Sequence, residues 1–484
     1  MREGDHFERV HRLDAAGLAS DGSAAALLFL RGEVTDMWTF LDTPSKKMYL
    51  VQGPPGTGKS STTWAWACRK AAGGGDGVSV LWVHLERGRG ARVAVINGTM
   101  LTIVGRVEMS TAVGIVRGWS LSTIVVLDGV VASIHDDISG AASVWVCRVE
   151  GRSLILVTSE SLTIPAEQLT NMGAIEHRVM SWSLEQYTAA VQSSAAFANE
   201  VQGRLGGDGV DIHEQLANKF FLAGGSARWM FGLDVVAATT DIDKHLERVP
   251  DKQALLSGLQ GARAAGSVNH LVQRVKRGTF LVSEYVARCL AETCEIAFVV
   301  AARAQAQVNP SFDGWVFEMD FMARLRLAHA QRRPLKLSIN NTDEDWDVAK
   351  LIRFHIPADL VGDRVVAPGP EVFTNQLAVE TYSWLIPKRW NQGGYDAAQV
   401  LEKSLRFVQV TRGGTHSLKL QYMRALIVEL VRIGRVVETV DVVFVVPVEG
   451  KDDFTPPGSV ESQLDDWGWA LEHVRVAGFE RSRA

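Results

Sequence analysis

The sequence predicts an α/β chain: a mainly parallel sheet, then a helical lid region, then a second α/β domain towards the C-terminal end. Three observations predict it. Between Lys47 and Val157 short apolar runs alternate with helical segments, the pattern of strands joined by crossover helices. From Ser181 to Gln307 apolar residues recur mostly at helical spacing. Beyond Asn309-Pro310 strand and helix patterns alternate again. The expected divisions are an N-terminal segment (1–45), a sheet core (46–180), a helical lid or connector (181–307) and a mixed domain (308–484).

The elements follow in order. Leu28 to Phe40 has helical spacing and is expected to pack on the next unit. Met48 to Gln52 is a short apolar strand, followed by a glycine loop and a helix from Ser60 to Lys70. Gly73 to Gly77 is a turn. Val78 to Leu85, Thr123 to Leu127 and Leu154 to Val157 are buried strands, and the last two end in Asp128 and in Thr158-Ser159. Glu185 to Val191, Ile212 to Leu222 and Val282 to Ala301 fit helices. Phe317 to Leu327 reads as a helix and Leu335 to Ile339 as a strand. After a loop-rich stretch from Val361 to Pro370 come strands at Leu405 to Thr411 and Val440 to Val448, with a helix from Ser417 to Ile433 between them. The polar tail, Asp452 to Ala484, is expected to cover an edge.

Composition sets bounds. The chain has 484 residues, 46% hydrophobic and 22% charged, ordinary for a globular protein with a large core. A net charge of -5 gives no global basic field, so contact with nucleic acid would need a local patch. Cys68, Cys147, Cys289 and Cys294 form no CxxC pair, which suits free thiols in a reducing compartment. The first six residues carry acids where a signal peptide carries bases. No run approaches the ~20 apolar residues of a membrane helix, so no membrane partner is expected.

The loop Gly53-Pro54-Pro55-Gly56-Thr57-Gly58-Lys59-Ser60, with Ser61 after it, fits GxxxxGK[ST] between a strand and a helix. Glycines let backbone N–H groups curl round a phosphate, Lys59 reaches the β- and γ-phosphates, and the Ser60 hydroxyl ligates Mg²⁺. The expected ligand is ATP with Mg²⁺; the alternative is a degenerate loop. Asp128 at a strand end supports the metal through water, or else caps a helix. Gly129 stands where many related ATPases carry a water-activating Glu, which points to slow hydrolysis. Glu86 is a substitute base or a solvated strand-end acid, with Asp136 and Asp137 as weaker candidates. Thr158-Ser159 is a γ-phosphate sensor or a turn. In Gly224-Gly-Ser-Ala-Arg228-Trp229, Arg228 is a phosphate sensor, or a surface residue after a glycine cap.

A second constellation lies further on. Asp396 and Gln409, on successive segments, can share one Mg²⁺. The restriction-nuclease pattern is D…(D/E)xK with a glutamate on a preceding helix. Asp396 supplies the first position, Gln409 the second, and Thr411 stands in the lysine's place. Lys419 is the candidate to reach back into the site, and Glu318 is the candidate helix glutamate, with Glu380 second. By spacing alone, a turn, a half-buried strand and an amphipathic helix account for the same residues, and His416 reads as a loop histidine.

Together the stretches MYLVQGPPGTGKSSTTWAWA, VLWVHLE, TIVVLDG, FFLAGGSARWMFG, NPSFDGWVFEMDF and WNQGGYDAA…LRFVQVTRGGTHSLKL resemble the Crinkler effectors, relatives of the retrotransposon hot spot proteins. The resemblance covers about residues 25 to 450, and its GGSARWMF and QVTRGGTHSLK blocks are the specific ones. It implies an AAA-like or STAND-like P-loop NTPase joined to a restriction-endonuclease-fold nuclease domain. It implies nucleotide contacts from Gly53 to Ser61, metal support at Ser60 and Asp128, and a sensor at Arg228. It places nuclease residues at Glu318, Asp396, Gln409 and Lys419, with Asp396 and Gln409 on the metal. DNA and a host protein are the implied partners, and a secreted effector acting in the host nucleus is the implied setting. Two departures stand out. The ubiquitin-like header common in the family is not recognisable here. A neutral Gln at the second acidic position binds Mg²⁺ less strongly than Glu would. The expected function is an ATP-regulated, Mg²⁺-dependent DNA nuclease. The alternative is a nucleotide-gated switch that binds DNA or a host protein without cutting. A processive motor fits least, for no pore-loop motif or arginine finger is evident.

Overall fold

A computed structural model describes residues 7–11, 13–14, 16–18, 25–43, 47–73, 78–86, 90–120, 123–131, 135–159, 173–206, 211–249, 268–275, 278–293, 296–306, 310–339, 342–354, 379–387, 395–412, 420–456 and 470–480. The turn at 74–77, the loop-rich stretch at 361–370, Cys294, His416 and Lys419 lie outside them. The chain divides into two compact units, Met1–Ser283 and Glu284–Ala484. The division falls earlier than the expected boundary at 307/308, because helices from Glu284 onward pack on the long helix of the second unit. Among the described residues no helix is long and apolar enough to cross a membrane. Cys68, Cys147 and Cys289 form no disulfide.

The first unit opens with a hairpin of β1 (Phe7–His11) and β2 (Ala25–Phe29), then α1 (Gly32–Leu41). The expected single helix from Leu28 to Phe40 is therefore a strand end and a helix, parted at Arg31-Gly32; Leu28 pairs across the hairpin with Glu8. Next come β3 (Met48–Gln52), α2 (Lys59–Gly73), β4 (Ser79–Glu86), β5 (Gly90–Asn97), β6 (Met100–Val107), α3 (Met109–Gly118), β7 (Ile124–Val130), α4 (Asp136–Arg148), β8 (Ser153–Thr158) and β9 (Ala174–Arg178). They form one sheet in the order β6-β5-β4-β7-β8-β3-β9. The five strands from β4 to β9 in that order run parallel; β5 and β6 are antiparallel additions.

Parallel strands with helices on both faces must be apolar at every position, which is why their sequences run without alternation. Tyr49, Val51, Val126, Ile155 and Val157 pack with α1 and α2, where Trp64 meets Trp82 edge-on at 5.0 Å. Leu50, Val83, Val125, Leu127 and Leu156 face α3 and α4 with Trp145. Each fully buried side chain of this size contributes ~1.5–3 kcal/mol. The helical part follows: α5 (Leu184–Ser193), α6 (Ala195–Leu205), α7 (Ile212–Ala223), a π-turn at Arg228–Gly232 and α8 (Val235–Glu247), then the hairpin β10 (Val272–Val275) and β11 (Gly278–Leu281).

The second unit begins with α9 (Glu284–Thr293), α10 (Ile296–Ala306) and α11 (Pro310–Gln331). The helix expected from Val282 to Ala301 is thus two helices. Then come β12 (Leu335–Ile339), β13 (Thr342–Trp346), β14 (Lys350–Phe354), β15 (Ser383–Pro387), β16 (Ala397–Val400), β17 (Ser404–Val410), α12 (Leu420–Arg432), β18 (Thr439–Pro447) and β19 (Ala470–Phe479). The sheet order is β13-β12-β19-β18-β17-β16-β15-β14. Phe317, Phe321 and Leu325, four residues apart along α11, cover one face; Leu426 and Leu430 of α12 belong to the core on the other.

The tail is the largest departure from expectation. It supplies β19, a strand inside the sheet, parallel to β18 and antiparallel to β12. Removing residues 470–479 would leave β18 and β12 with unpaired edges. Such a chain is expected to lose the cooperative urea transition of the second unit and keep that of the first, read by circular dichroism.

Candidate functional site

The phosphate loop joins β3 to α2, and Thr62 N donates to Gly58 O at 2.9 Å to start the helix. Gly56 and Gly58 take φ of +80° and +91°, a region closed to most side chains. A Cβ on Gly56 would also collide with the Ser226 hydroxyl. Ala227 N donates to Gly56 O at 2.9 Å, so the Gly-Gly-Ser-Ala-Arg block lies against the loop and brings exposed Arg228 beside it. Pro54 and Pro55 open the loop without backbone donors. Lys59 is buried, and its Nζ donates to Gly53 O and Pro54 O at 2.7 Å each. An entering phosphate would compete with these carbonyls for the ammonium.

Asp128 is 1% exposed at the end of β7. Ser60 Oγ donates to its Oδ1 at 2.7 Å. His84 Nδ1 lies 2.7 Å from its Oδ2, because His84 on β4 pairs in register with Asp128. An ionised carboxylate only accepts, so that nitrogen carries the proton. Among the described residues no three of His, Cys, Asp or Glu gather as a metal cage. One hydroxyl and one carboxylate nevertheless suit Mg²⁺, which keeps waters and takes its other oxygens from phosphates. These residues fit the ion.

Gly129 sits at a bulge where β7 shifts register against β8. Its φ is +82°, and a Cβ there would come 2.8 Å from Leu85 O. The backbone itself therefore excludes a glutamate at this position. Glu86 is committed elsewhere: Arg92 and Arg106 donate to it at 3.0 and 2.5 Å. Burial opposes its charge, but those two bonds prevail and hold the carboxyl below its ordinary range. Asp136 and Asp137 are exposed in the first turn of α4. Thr158 gives its hydroxyl to Val130 O at 2.7 Å, and Ser159 Oγ accepts from Asn269 Nδ2 at 3.4 Å.

Sequence reasoning missed Arg31. It is 4% exposed, donates to Thr57 O at 3.1 Å, Met180 O at 2.9 Å and Gln186 Oε1 at 3.2 Å, and lies 4.7 Å over the Trp182 ring. Burial lowers its pKa, partly offset by Glu33. Trp182 donates to the same Thr57 carbonyl at 3.3 Å. The loop is thus tied to the start of α5. No local signal marks Arg31. His84 had one: an ionisable residue inside the apolar run VLWVHL.

The second unit gathers carboxylates. Asp396 lies just before β16 and is 5% exposed. Its Oδ2 accepts from Gln409 Nε2 at 2.7 Å and Val410 N at 2.8 Å; its Oδ1 accepts from Arg288 at 2.7 Å. Arg288 also lies 3.5 Å from Glu284 and 3.6 Å from Glu318. The structure therefore brings Glu318, Asp396 and Gln409 together and adds Glu284 and Arg288 of α9, which the sequence did not reveal. A divalent cation does not fit this arrangement. Asp396 already accepts three hydrogen bonds, Gln409 turns its NH₂ towards Asp396, and a guanidinium stands among the carboxylates. Thr411 bonds through its backbone to Val445 O at 2.9 Å, and Glu380 turns the chain into β15, accepting and donating with Ser383. Beside the cluster is a cavity of about 250 Å³, lined also by Met319, Met322, Leu351 and Ile386.

Burial raises the Glu284 carboxyl to about 7, with Arg288 opposing and Asp396 adding. Glu318 is pushed well above its ordinary value by burial, Glu284 and Asp396. Burial would lower the Arg288 pKa, but Asp396, Glu318 and Glu284 raise it and keep it charged.

No protein-family model and no curated protein matches the chain. Among solved structures it is similar to the S. cerevisiae Hsp104-ADP complex, at a TM-score of 0.29 and 12% identity, over 67% of this chain and 44% of that one. The chain spans less than half the length of that protein, and the likeness is too small to define a fold.

Gly129→Glu is expected to destabilise the first unit by ~1–3 kcal/mol and to bring no gain in phosphate release, measured by urea melts and a phosphate assay. Glu284 binds a proton more readily folded than unfolded between its ordinary 4.5 and about 7. Its contribution to stability is therefore fullest below pH 4.5 and is lost as pH rises through 7, at most ~1.4 kcal/mol per pH unit. Urea melts from pH 5 to 8 should show this fall, and Glu284→Gln should flatten it.

Proposed function

We propose that the chain is a Crinkler-type protein in which an ATP-binding, AAA/STAND-like P-loop unit regulates a restriction-endonuclease-like unit directed at DNA. The observation that carries the nucleotide part is the meeting of Ser60 with Asp128, beside Lys59, at the end of a parallel sheet. The strand order supports the AAA-like reading: β8 lies between the loop strand β3 and the acid strand β7. Arg228, next to Ala227 whose N–H bonds the loop, is the proposed phosphate sensor. Gly129 makes the unit a slow switch rather than a fast motor.

The nuclease-like reading rests on topology and pairing. Three successive antiparallel strands, β15 to β17, lead through α12 to β18, which is parallel to β17. Asp396 precedes the second of these strands and Gln409 lies on the third, with Glu318 on the helix before them. A second reading, a switch that engages DNA or a host protein without cutting, is favoured by the Gln409 amide and by Arg288 among the acids. Delivery into a host cell and action in its nucleus remain proposals from the family resemblance.

Lys59→Ala is expected to weaken binding of a fluorescent ATP analogue by ~10–100-fold, the loss of a charge-assisted contact, while Asp128→Asn should chiefly remove the Mg²⁺ dependence. Plasmid DNA with Mg²⁺ and ATP tests the other unit. Cleavage that Asp396→Ala abolishes supports the nuclease, and cleavage unchanged by that substitution places the activity elsewhere. No cleavage by the wild-type chain supports the non-cutting switch.

A further inference from the structure

Three carboxylates converge in the second unit, and the charge that answers them is a side chain. Arg288 is half-buried, with its NH2 2.7 Å from Asp396 Oδ1, 3.5 Å from Glu284 and 3.6 Å from Glu318. A carboxylate cluster out of water needs a cation, and a planar guanidinium with several donors can serve several acids at once. Arg288 and Glu284 stand four residues apart on α9, so the helix carries both the cation and one of its acids. The 250 Å³ cavity adjoins them, so the cluster is open to small solutes on one side.

We infer that Arg288 takes the place of a divalent cation among these acids: its guanidinium neutralises Glu284, Glu318 and Asp396 and excludes a metal ion while it stays there. The inference rests on the restriction-endonuclease-like reading only for what the metal would then do.

The test is Mn²⁺ binding to the nucleotide-free full chain, followed by electron paramagnetic resonance of the free ion. Arg288→Met, which fills the space without charge, is expected to bind one Mn²⁺ at least ~10-fold more tightly than wild type, the loss of one charge-assisted competitor. Adding Asp396→Asn to that variant should remove the gain. Arg288→Lys keeps a cation with a single donor head, and its affinity should fall between the two; should the Met variant not fold, the Lys variant decides. Equal Mn²⁺ affinity in wild type and in the folded variants overturns the inference, as does a gain that survives Asp396→Asn. Because binding is read without DNA, the two readings separate. Tight Mn²⁺ binding by Arg288→Met with plasmid left intact supports the cation position and counts against cleavage.

Discussion

A carboxylate taken out of water has to be met by donors, and each unit is organised round one that is. In the first, Asp128 draws a hydroxyl from the start of α2 and an imidazole from β4 to the end of β7. In the second, Asp396 draws an amide and a backbone N–H from β17 and a guanidinium from α9. Both acids take their donors from elements that the sheets hold in register. The sheets therefore do more than bury apolar surface, for they bring the donors to the acids.

The two acids differ in what they leave available. Asp128 faces a serine, a ligand that a hard cation can share with it, and a loop whose lysine donates to the Gly53 and Pro54 carbonyls. Asp396 has both oxygens committed, one of them to a cation already. The acids of the second unit are neutralised from within by Arg288. Arg31 adds a third arrangement: a buried guanidinium satisfied almost wholly by neutral carbonyl and amide oxygens and an aromatic face. Its position ties the phosphate loop to the start of α5.

What could be read from the sequence was what is local. The strand before the phosphate loop and the helix after it lie where the apolar run and the glycines put them, because turn chemistry and burial act within a few residues. Asp396 and Gln409 could be paired in advance because they sit on neighbouring strands of one antiparallel turn. Arg31, His84, Glu284 and Arg288 could not, since each meets its partners across gaps that no periodicity spans; Arg288 and Asp396 are 108 residues apart. The hairpin of β5 and β6 escaped notice for another reason. It is an addition at the sheet edge, and β6 is largely solvent-exposed, so its residues carry little of the burial signal that marks the central strands.

The place of β19 has a consequence in time. A ribosome makes β12, β15, β16, β17 and β18 before it makes residues 470–479, yet β19 lies between β12 and β18. During synthesis the sheet can exist only as two separate pieces, each with an open edge. The first unit is complete in sequence by Ser283 and can fold while the remainder is still being made. Asp396 of the acidic cluster adjoins β16, in a sheet that closes last. A nascent chain would therefore hold a finished phosphate loop well before it holds a finished second unit.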